Sequence, residues 1–229
     1  MLDLNKEKSL FASGLKLVAG VDEAGRGPLA GPVVAAVVVL RPEFLADKNK
    51  LEKLQGINDS KKLTAKKREE LFEIIKAECF EVGVGVCDHE TIDRVNILQA
   101  TFLAMKMALG NLKIKPEIIL VDGKFPIPNL SLRQEAIIDG DALIFCIAAA
   151  SIIAKVEHDK IIDKYAEQYP QFGFLNHKGY GTKEHLEALK KYGPCPIHRK
   201  TFKPVAKLKN NYAPYKRQNP LTGDSDGTK

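Results

Sequence analysis

The sequence predicts an α/β protein in which helices cover a mixed β-sheet. Three apolar segments come early in the chain, and helical patterns then alternate with further short apolar segments. This alternation is typical of layered α/β domains. With 229 residues, of which 45% are hydrophobic and 28% charged, the chain is long enough to bury a core of its own.

The predicted strands are short apolar runs bounded by turn signals or by acidic residues. They are 17–21, 32–40, 80–86, 118–121 and 136–138. The segment 25–31 between the first two is too rich in glycine to continue a strand without a tight connection. Asp122 directly follows the fourth strand, and Asp141 lies just beyond the fifth.

Four segments are predicted to be helical from their caps and their apolar periodicity. One begins after Thr64, one covers about 148–169, and one begins after Thr182. The clearest pattern is an apolar stripe that recurs every three or four residues and predicts a single amphipathic helix packed on the sheet. The stripe consists of Ile92, Val95, Leu98, Phe102, Met105, Leu109 and Leu112.

Composition limits the possible environments of the protein. The net charge of +6 and the pI near 9.0 are compatible with a polyanionic partner. The four cysteines form no Cys-x-x-Cys motif, which favours reduced thiols in a cytoplasmic protein. No apolar run reaches the roughly 18 residues of a membrane span, and no secretory signal is evident. We therefore expect a cytoplasmic protein without a membrane partner.

Four acidic residues, Asp22, Glu23, Asp122 and Asp141, lie at or just beyond the ends of predicted strands. Carboxylates that converge there would repel one another unless divalent cations neutralised them, and all-oxygen ligands suit Mg²⁺ or Mn²⁺. Two such ions would support in-line cleavage of a phosphodiester. Taken alone, any one of these acids is more commonly a helix cap or the partner of a lysine than a metal ligand.

The adjacent pair Asp22 and Glu23 presents a geometric difficulty. Neighbouring residues of a regular strand point to opposite faces of the sheet. If the first strand runs regularly through both positions, the two side chains cannot face one site. We therefore expect Glu23 to use the turn that follows, or its main-chain oxygen.

Six segments together resemble the ribonuclease HII family, the type 2 ribonucleases H, over about residues 17–205. They are VAGVDEAGRGPLAG at 18–31, NDSKKL at 58–63, VDG at 121–123, GD at 140–141, AASIIAK at 149–155 and HKGY at 177–180. The resemblance implies a ribonuclease H-like fold, with a five-stranded mixed sheet flanked by helices and a helical C-terminal extension. The implied division is an N-terminal segment 1–16, a catalytic domain 17–170, the extension 171–209 and a flexible tail 210–229.

The resemblance also implies an activity. Family members hydrolyse the RNA strand of RNA–DNA hybrids on the 5′ side of a ribonucleotide, including single ribonucleotides embedded in duplex DNA, and leave a 3′-hydroxyl and a 5′-phosphate. Three alternatives remain open: a ribonuclease HIII-like enzyme, a catalytically silent hybrid-binding protein, and a nuclease of all-DNA duplexes. The implied substrates are hybrid duplexes and DNA duplexes that contain ribonucleotides.

Site residues follow from the same resemblance. Asp22, Glu23, Asp122 and Asp141 would be the catalytic residues and would bind two Mn²⁺ or Mg²⁺ ions, with Asp139 and Asp159 as open alternatives. The substrate-binding residues would be Gly25, Arg26 and Gly27, which would read the 2′-hydroxyl, together with Ser60, Lys61, Tyr180 and Arg199. Tyr180 would stack on a sugar, Ser60, Lys61 and Lys62 would contact phosphates, and Arg199 would bind a phosphate or form a surface salt bridge. His177, His185 and His198 are expected to be scaffold residues, whereas Lys66, Lys67 and Arg68 would be a solvated helix face.

Some family members dock on a sliding clamp through a C-terminal peptide that combines a glutamine, an aliphatic residue and an aromatic pair. Gln218 and Leu221 have part of that spacing, but Asp224 and Ser225 occupy the aromatic positions. The sequence therefore predicts no clamp-binding peptide, and we expect a monomer.

Overall fold

The first two apolar runs form antiparallel neighbours at the centre of a five-stranded sheet. The computed structural model describes residues 2–58 and 60–208. The strands are β1 (Val18–Ala24), β2 (Val33–Leu40), β3 (Glu81–Cys87), β4 (Ile118–Asp122) and β5 (Arg133–Ile137). They lie in the order β3-β2-β1-β4-β5, with β1, β4 and β5 parallel and β2 antiparallel to both neighbours. The predicted five-stranded mixed sheet is confirmed.

Eleven α-helices are found in the described part of the chain. They are α1 (Asn5–Ala12), α2 (Pro42–Ala46), α3 (Lys48–Lys53), α4 (Ala65–Glu78), α5 (His89–Val95), α6 (Ile97–Gly110), α7 (Gly140–Leu143), α8 (Phe145–Gln168), α9 (Phe174–His177), α10 (Lys183–Tyr192) and α11 (Lys203–Ala206). As predicted, Thr64 and Thr182 cap α4 and α10, because their side chains accept hydrogen bonds from the main chain of the first turn. None of the described helices is long and apolar enough to cross a membrane.

The sheet is covered on both faces. Every residue of β2 is buried, because α8 packs on one face of the central strands and α6 on the other. Along β1, Val18 belongs to the core on the α8 side, whereas Ala19 and Val21 belong to the core on the α6 side. Gly20 lets α8 approach closely, since a Cβ there would lie 2.2 Å from the carbonyl carbon of Cys146.

The single helix predicted from Ile92 to Leu112 was wrong, because the chain breaks at Asn96 between α5 and α6. Asn96 has φ 69°, which lies outside the helical region, and its side chain caps α6 by accepting a hydrogen bond from Gln99 N at 3.1 Å. Apolar periodicity continued across the break because both helices pack on the same core. Periodicity alone therefore missed a local cap.

The N-terminal segment is part of the core, which the sequence did not indicate. Helix α1 buries Leu10 and the whole side chain of Glu7. Glu7 Oε1 accepts a hydrogen bond from Cys146 N at 2.9 Å, in the first turn of α8. A carboxylate at this position satisfies a main-chain donor at the positive end of the helix dipole. The division at residue 16 thus does not separate α1 from the sheet and its helices.

Helices after α8 form the C-terminal extension. Helices α9, α10 and α11 pack around a separate small core that includes Phe172, Phe174 and Leu189. The extension reaches the segment after β1, because Ala30 and His198 form an antiparallel bridge. Residues 210–229, with the predicted flexible tail and the Gln218 and Leu221 positions, lie outside the described residues.

Candidate active site

Two of the four acids meet because β1 and β4 are parallel neighbours. Their pairing ends with Val21 opposite Val121, one residue before Asp22 and Asp122. A cleft of about 510 Å³ opens at this edge of the sheet. It is lined by Asp22, Glu23, Gly25, Arg26, Gly27, Ser60, Lys61, Asp122, Ser151, Lys155 and Tyr180. The carboxyl ends of two parallel strands thus bring together residues one hundred positions apart.

Asp141 reaches the same group of acids from a helix. The predicted strand 136–138 is instead β5, Arg133–Ile137, and Asp141 lies in the first turn of α7. Main-chain N–H groups of that turn point at Asp122 Oδ1, from Gly140 at 2.7 Å and from Asp141 at 3.4 Å. Asp139 is exposed, so of the two candidates only Asp141 is buried in this turn.

The structure settles how Asp22 and Glu23 share one strand. Strand β1 runs regularly through both, with Asp22 opposite Ala36 and Glu23 opposite Ala35 on β2. Their side chains therefore leave opposite faces of the sheet. Glu23 also lines a second recess, of about 360 Å³, on the α6 side, and Asp122 lines both recesses. Asp22, Glu23 and Asp122 consequently lie at the edge where the two faces of the sheet meet, and we call these three residues the acidic rim.

Burial and repulsion from neighbouring acids raise the pKa values of three of the four carboxylates, those of Asp22, Glu23 and Asp122. Burial, followed by the charges of Glu23 and Asp122, raises the pKa of Asp22 well above its usual value. The pKa of Asp122 is raised by burial and then by Asp141, and burial also raises that of Glu23 against the opposing effect of Arg26. Divalent cations with oxygen ligands would relieve this repulsion, so the donor set suits Mg²⁺ or Mn²⁺.

Two cationic side chains already pair with these acids. Arg26 Nη1 lies 2.9 Å from Glu23 Oε1, and Lys61 Nζ lies 3.2 Å from Asp141 Oδ2. Within residues 2–58 and 60–208, no three His, Cys, Asp or Glu side chains are grouped so as to hold a metal ion. The four acids therefore have the right chemistry for metal binding, and two of them, Glu23 and Asp141, are paired with cationic side chains.

Ser60 and Lys61 lie in a short 3-10 helix, Ser60–Lys62, at the cleft. Ser60 is buried, and its hydroxyl lies 2.9 Å from that of Ser151 on α8. Arg68 supports this helix by donating to the carbonyls of Ser60 at 3.0 Å and Leu63 at 2.6 Å. The prediction of a solvated face was therefore wrong for Arg68, which is largely buried.

Ser151 and Lys155 of α8 are cleft residues that were not singled out from the sequence. The Ser151 side chain forms a hydrogen bond with Asp22 that opposes the rise in the pKa of that acid. Lys155 Nζ lies 2.9 Å from Asp159 Oδ1. Asp159 also contacts His158, at 3.1 Å, so it belongs to a side-chain cluster on α8 rather than to the four acids. Ser151 and Lys155 are four residues apart on one helix, and this spacing could have indicated from the sequence that they share one face.

The glycine-rich segment and Tyr180 lie side by side in the cleft. Gly25 has φ +89°, and a Cβ built on Gly27 would lie 3.1 Å from the ring of Tyr180. The Tyr180 side chain is 44% exposed. These residues leave a main-chain surface next to an accessible aromatic ring, as a sugar-contacting site requires.

Arg199 does not lie at the surface, so the prediction of a phosphate contact or a surface salt bridge was wrong. Its side chain is fully buried. The guanidinium donates to four main-chain carbonyls, those of Gly25, Arg26, Gly31 and Pro32, over 2.5–3.0 Å. Burial lowers the pKa of Arg199 to about 10, so it remains protonated at neutral pH. An arginine engaged in this way holds the backbone and is not available to a phosphate.

Three histidines of the extension are scaffold residues, as expected. Because the Tyr180 carbonyl can only accept, His185 Nδ1 must carry the proton of their 2.9 Å hydrogen bond. His185 Nε2 then accepts from His198 Nε2 at 3.0 Å, and His198 Nδ1 accepts from Cys195 N at 2.9 Å. Burial lowers the pKa of His185 to about 4 and that of His198 to about 3. Both rings are therefore neutral at physiological pH.

The fold and the acidic rim place the protein among the ribonuclease H-like nucleases. The family model for Ribonuclease HII matches residues 19–205. The chain belongs to the ribonuclease HII family.

Individual relatives agree with this assignment. Ribonuclease HII of Endomicrobium trichonymphae is 55% identical over 199 residues, which cover 87% of this chain and 91% of the relative. The crystal structure of ribonuclease H2 from Pyrococcus horikoshii OT3 is similar with a TM-score of 0.68 and 33% identity, over 85% of this chain and 97% of that one. Bst ribonuclease HIII, solved in complex with Mn²⁺, shares the fold with a TM-score of 0.65 at 18% identity, over 84% of this chain and 69% of that one.

Proposed function

We propose that this protein is an endonuclease that cuts the RNA strand of RNA–DNA hybrids on the 5′ side of a ribonucleotide, including a single ribonucleotide within duplex DNA. The products would be a 3′-hydroxyl and a 5′-phosphate. One observation carries the proposal: a single cleft is lined by Asp22, Glu23 and Asp122, by the Gly25–Gly27 segment and by the accessible ring of Tyr180. Phosphodiester chemistry and recognition of a ribose therefore have neighbouring sites.

Asp22, Glu23, Asp122 and Asp141 would hold two Mn²⁺ or Mg²⁺ ions. When bound, these ions would supply an activated water and stabilise the charge of the leaving oxygen. The raised pKa values of Asp22 and Asp122 support this assignment: burial, followed by repulsion from neighbouring acids, disfavours the ionised carboxylates, and bound cations would offset both effects. Arg26 and Lys61 would leave their acidic partners and become available to substrate phosphates.

Substrate positioning would come from the residues around the rim. Lys61, whose side chain is 79% exposed, would contact a phosphate without reading the base. Main-chain groups of Gly25–Gly27 would contact the 2′-hydroxyl, the only group that distinguishes RNA from DNA at the cut. Tyr180 would stack on the neighbouring sugar and align the backbone with the acids.

Removal of ribonucleotides misincorporated into DNA would be the cellular role of this activity. The four cysteines are buried and free, which suits the reducing cytoplasm where we place the enzyme. We also keep the expectation of a monomer without a clamp-binding peptide.

A DNA duplex with one embedded ribonucleotide tests the proposal, with the matched all-DNA duplex as control. In Mg²⁺ or Mn²⁺ the enzyme should cut only the first, on the 5′ side of the ribose. Equal cutting of both duplexes would indicate a general DNA nuclease. A requirement for several consecutive ribonucleotides would favour a ribonuclease HIII-like specificity, and binding without cleavage would leave a silent hybrid-binding protein.

A further inference from the structure

Arg199 is the only fully buried arginine in the described chain, and its guanidinium donates hydrogen bonds to main-chain carbonyls of the segment 25–32. Nη2 donates to Gly25 O at 2.5 Å and to Pro32 O at 2.9 Å, Nη1 donates to Arg26 O at 2.9 Å, and Nε donates to Gly31 O at 3.0 Å. The guanidinium group is planar, so the directions of its N–H donors are fixed relative to one another. These four carbonyls are consequently held in one relative orientation, from the end of β1 to the start of β2.

The same segment is tied to the C-terminal extension on both sides of the guanidinium. Arg199 N donates to Leu29 O at 2.8 Å, and Leu29 N donates to Gly179 O at 2.8 Å. Gly31 N donates to Ile197 O at 2.9 Å. Since Gly179 directly precedes Tyr180, the extension fixes the aromatic ring and the glycine-rich segment in one frame.

Gly25 and Gly27 provide little rigidity of their own. Glycine has access to more main-chain conformations than any other residue, so this part of the backbone depends on outside contacts for a fixed shape. The ring of His158 packs against Gly25, and its Cδ2 atom lies 2.5 Å from the position that a Cβ on Gly25 would take. Arg199 contacts its carbonyl from the side of the extension. The guanidinium is therefore the polar contact that sets the orientation of this peptide.

We propose that Arg199 is a positioning residue for ribose recognition: it holds the Gly25–Gly27 main chain in register with Tyr180, and so sets the preference for a ribonucleotide over a deoxyribonucleotide. The inference rests on the proposed function and extends it to a residue outside the cleft. Loss of the guanidinium would leave buried carbonyls without donors and let the segment shift. A displacement near 1 Å of such a contact can reduce cleavage about 100-fold.

Arg199→Lys is the direct test, because lysine keeps the charge but cannot span four carbonyls. Arg94→Lys is the matched control, since Arg94 is an exposed arginine on α5. Arg199→Lys should lower kcat on the single-ribonucleotide duplex about 10-fold to 100-fold, with a smaller change in KM. The control should cleave like the wild type.

Binding separates positioning from a general loss of folding. In an Asp122→Asn background, in which cleavage is blocked, affinities for the single-ribonucleotide duplex and the matched all-DNA duplex are compared with and without Arg199→Lys. The ratio of the two affinities should fall towards one when Arg199 is replaced. A folded Arg199→Lys protein with an unchanged ratio and unchanged kcat would overturn the proposal.

Phe202→Leu provides a second variant if Arg199→Lys does not fold. The guanidinium lies 5.0 Å from the centre of the Phe202 ring, so leucine would loosen its support and leave the arginine in place. Phe202→Leu should also lower the preference for the single-ribonucleotide duplex, by less than Arg199→Lys does. An unchanged preference in a folded Phe202→Leu protein would also count against the role of Arg199. If the wild-type enzyme does not distinguish the two duplexes, the proposed function fails before Arg199 is tested.

Discussion

Lys61 donates a hydrogen bond to Asp141, with Nζ 3.2 Å from Oδ2, and so links the 3-10 helix at Ser60–Lys62 to the first turn of α7. The lysine side chain is 79% exposed and the aspartate side chain 9%. An exposed cation that lines the cleft is thus paired with a buried carboxylate. Under the proposed function, Lys61 would exchange Asp141 for a substrate phosphate and Asp141 would exchange Lys61 for metal ions.

Lys61→Ala should weaken binding to hybrid duplexes of any sequence, because phosphate contacts position a substrate without reading its bases. If Lys61 neutralises one phosphate, the slope of log K against log salt should decrease in magnitude by about 0.7 to 0.9. Lys115→Ala is the control, since Lys115 is exposed beyond the opposite end of β4. Fluorescence anisotropy between low and moderate salt measures both slopes, and an identical slope for wild type and Lys61→Ala would remove Lys61 from the substrate.

Asp122→Asn should abolish cleavage without unfolding the protein, because the amide has nearly the same volume but is a poor ligand for Mg²⁺. Mn²⁺ or Mg²⁺ should raise the Tm of the wild type by mass action, and raise that of the variant less. The exposed Asp139 provides the control variant Asp139→Asn, which should retain both properties. Turnover near that of the wild type in saturating Mg²⁺ would contradict the assignment of Asp122.

Asp22→Asn should stabilise the metal-free protein at neutral pH. The pKa of Asp22 is raised, so the folded state holds this proton more tightly than the unfolded state, whose value is near 3.8. The contribution of Asp22 to stability is therefore present at low pH and is lost as pH rises through the folded pKa. Asparagine mimics the neutral acid and avoids that loss.

Urea unfolding in EDTA at pH 5 and pH 8 measures this difference. The free energy of unfolding of Asp22→Asn should exceed that of the wild type by more at pH 8 than at pH 5. In a thermal melt, each kcal/mol gained should raise Tm by about 2 to 4 °C for a chain of this size. A variant less stable than the wild type at pH 8 would show that burial and repulsion do not destabilise the ionised Asp22 in the metal-free protein.

The C-terminal extension should loosen selectively in acid. Buried His185 and His198 have pKa values of about 4 and about 3, below the ordinary value of 6.5. The unfolded state therefore takes up protons first, and stability is complete above pH 6.5 and declines as pH falls towards 4. Hydrogen exchange at pH 7, 5.5 and 4.5 should show earlier loss of protection in α10 than in β1 and β2. Simultaneous loss throughout the chain would contradict a local effect of the two histidines.

Tyr180→Ala should reduce cleavage of the single-ribonucleotide duplex more than it reduces binding, because the proposed stacking would align the sugar-phosphate backbone with the acidic rim. Tyr192, which is 38% exposed on α10, offers the matched control Tyr192→Ala. Single-turnover cleavage rates and affinities for the single-ribonucleotide duplex, measured for both variants, test this prediction. Proportional losses of rate and affinity in Tyr180→Ala would reduce its role to simple binding.

The sequence by itself determined the elements and the candidate chemistry. Apolar runs ending at Asp22 and Asp122 predicted strands β1 and β4, and the threonine caps predicted the starts of α4 and α10, because these signals lie within a few neighbouring residues. The glycine-rich segment and Tyr180 were singled out by resemblance to the ribonuclease HII family. All of these depend on local composition or on a contiguous motif.

Only the tertiary structure decided which of these residues meet and how. Parallel pairing places Asp22 beside Asp122, and β1 carries Asp22 and Glu23 on opposite faces. Arg199 was expected to bind a phosphate or to form a surface salt bridge, yet folding buries it against the carbonyl of Gly25, 174 positions away. A linear pattern encodes which side chains prefer burial, whereas the partners of a buried charge depend on contacts between segments remote in sequence. The acidic rim and the support of the glycine-rich segment therefore exist only in the folded chain.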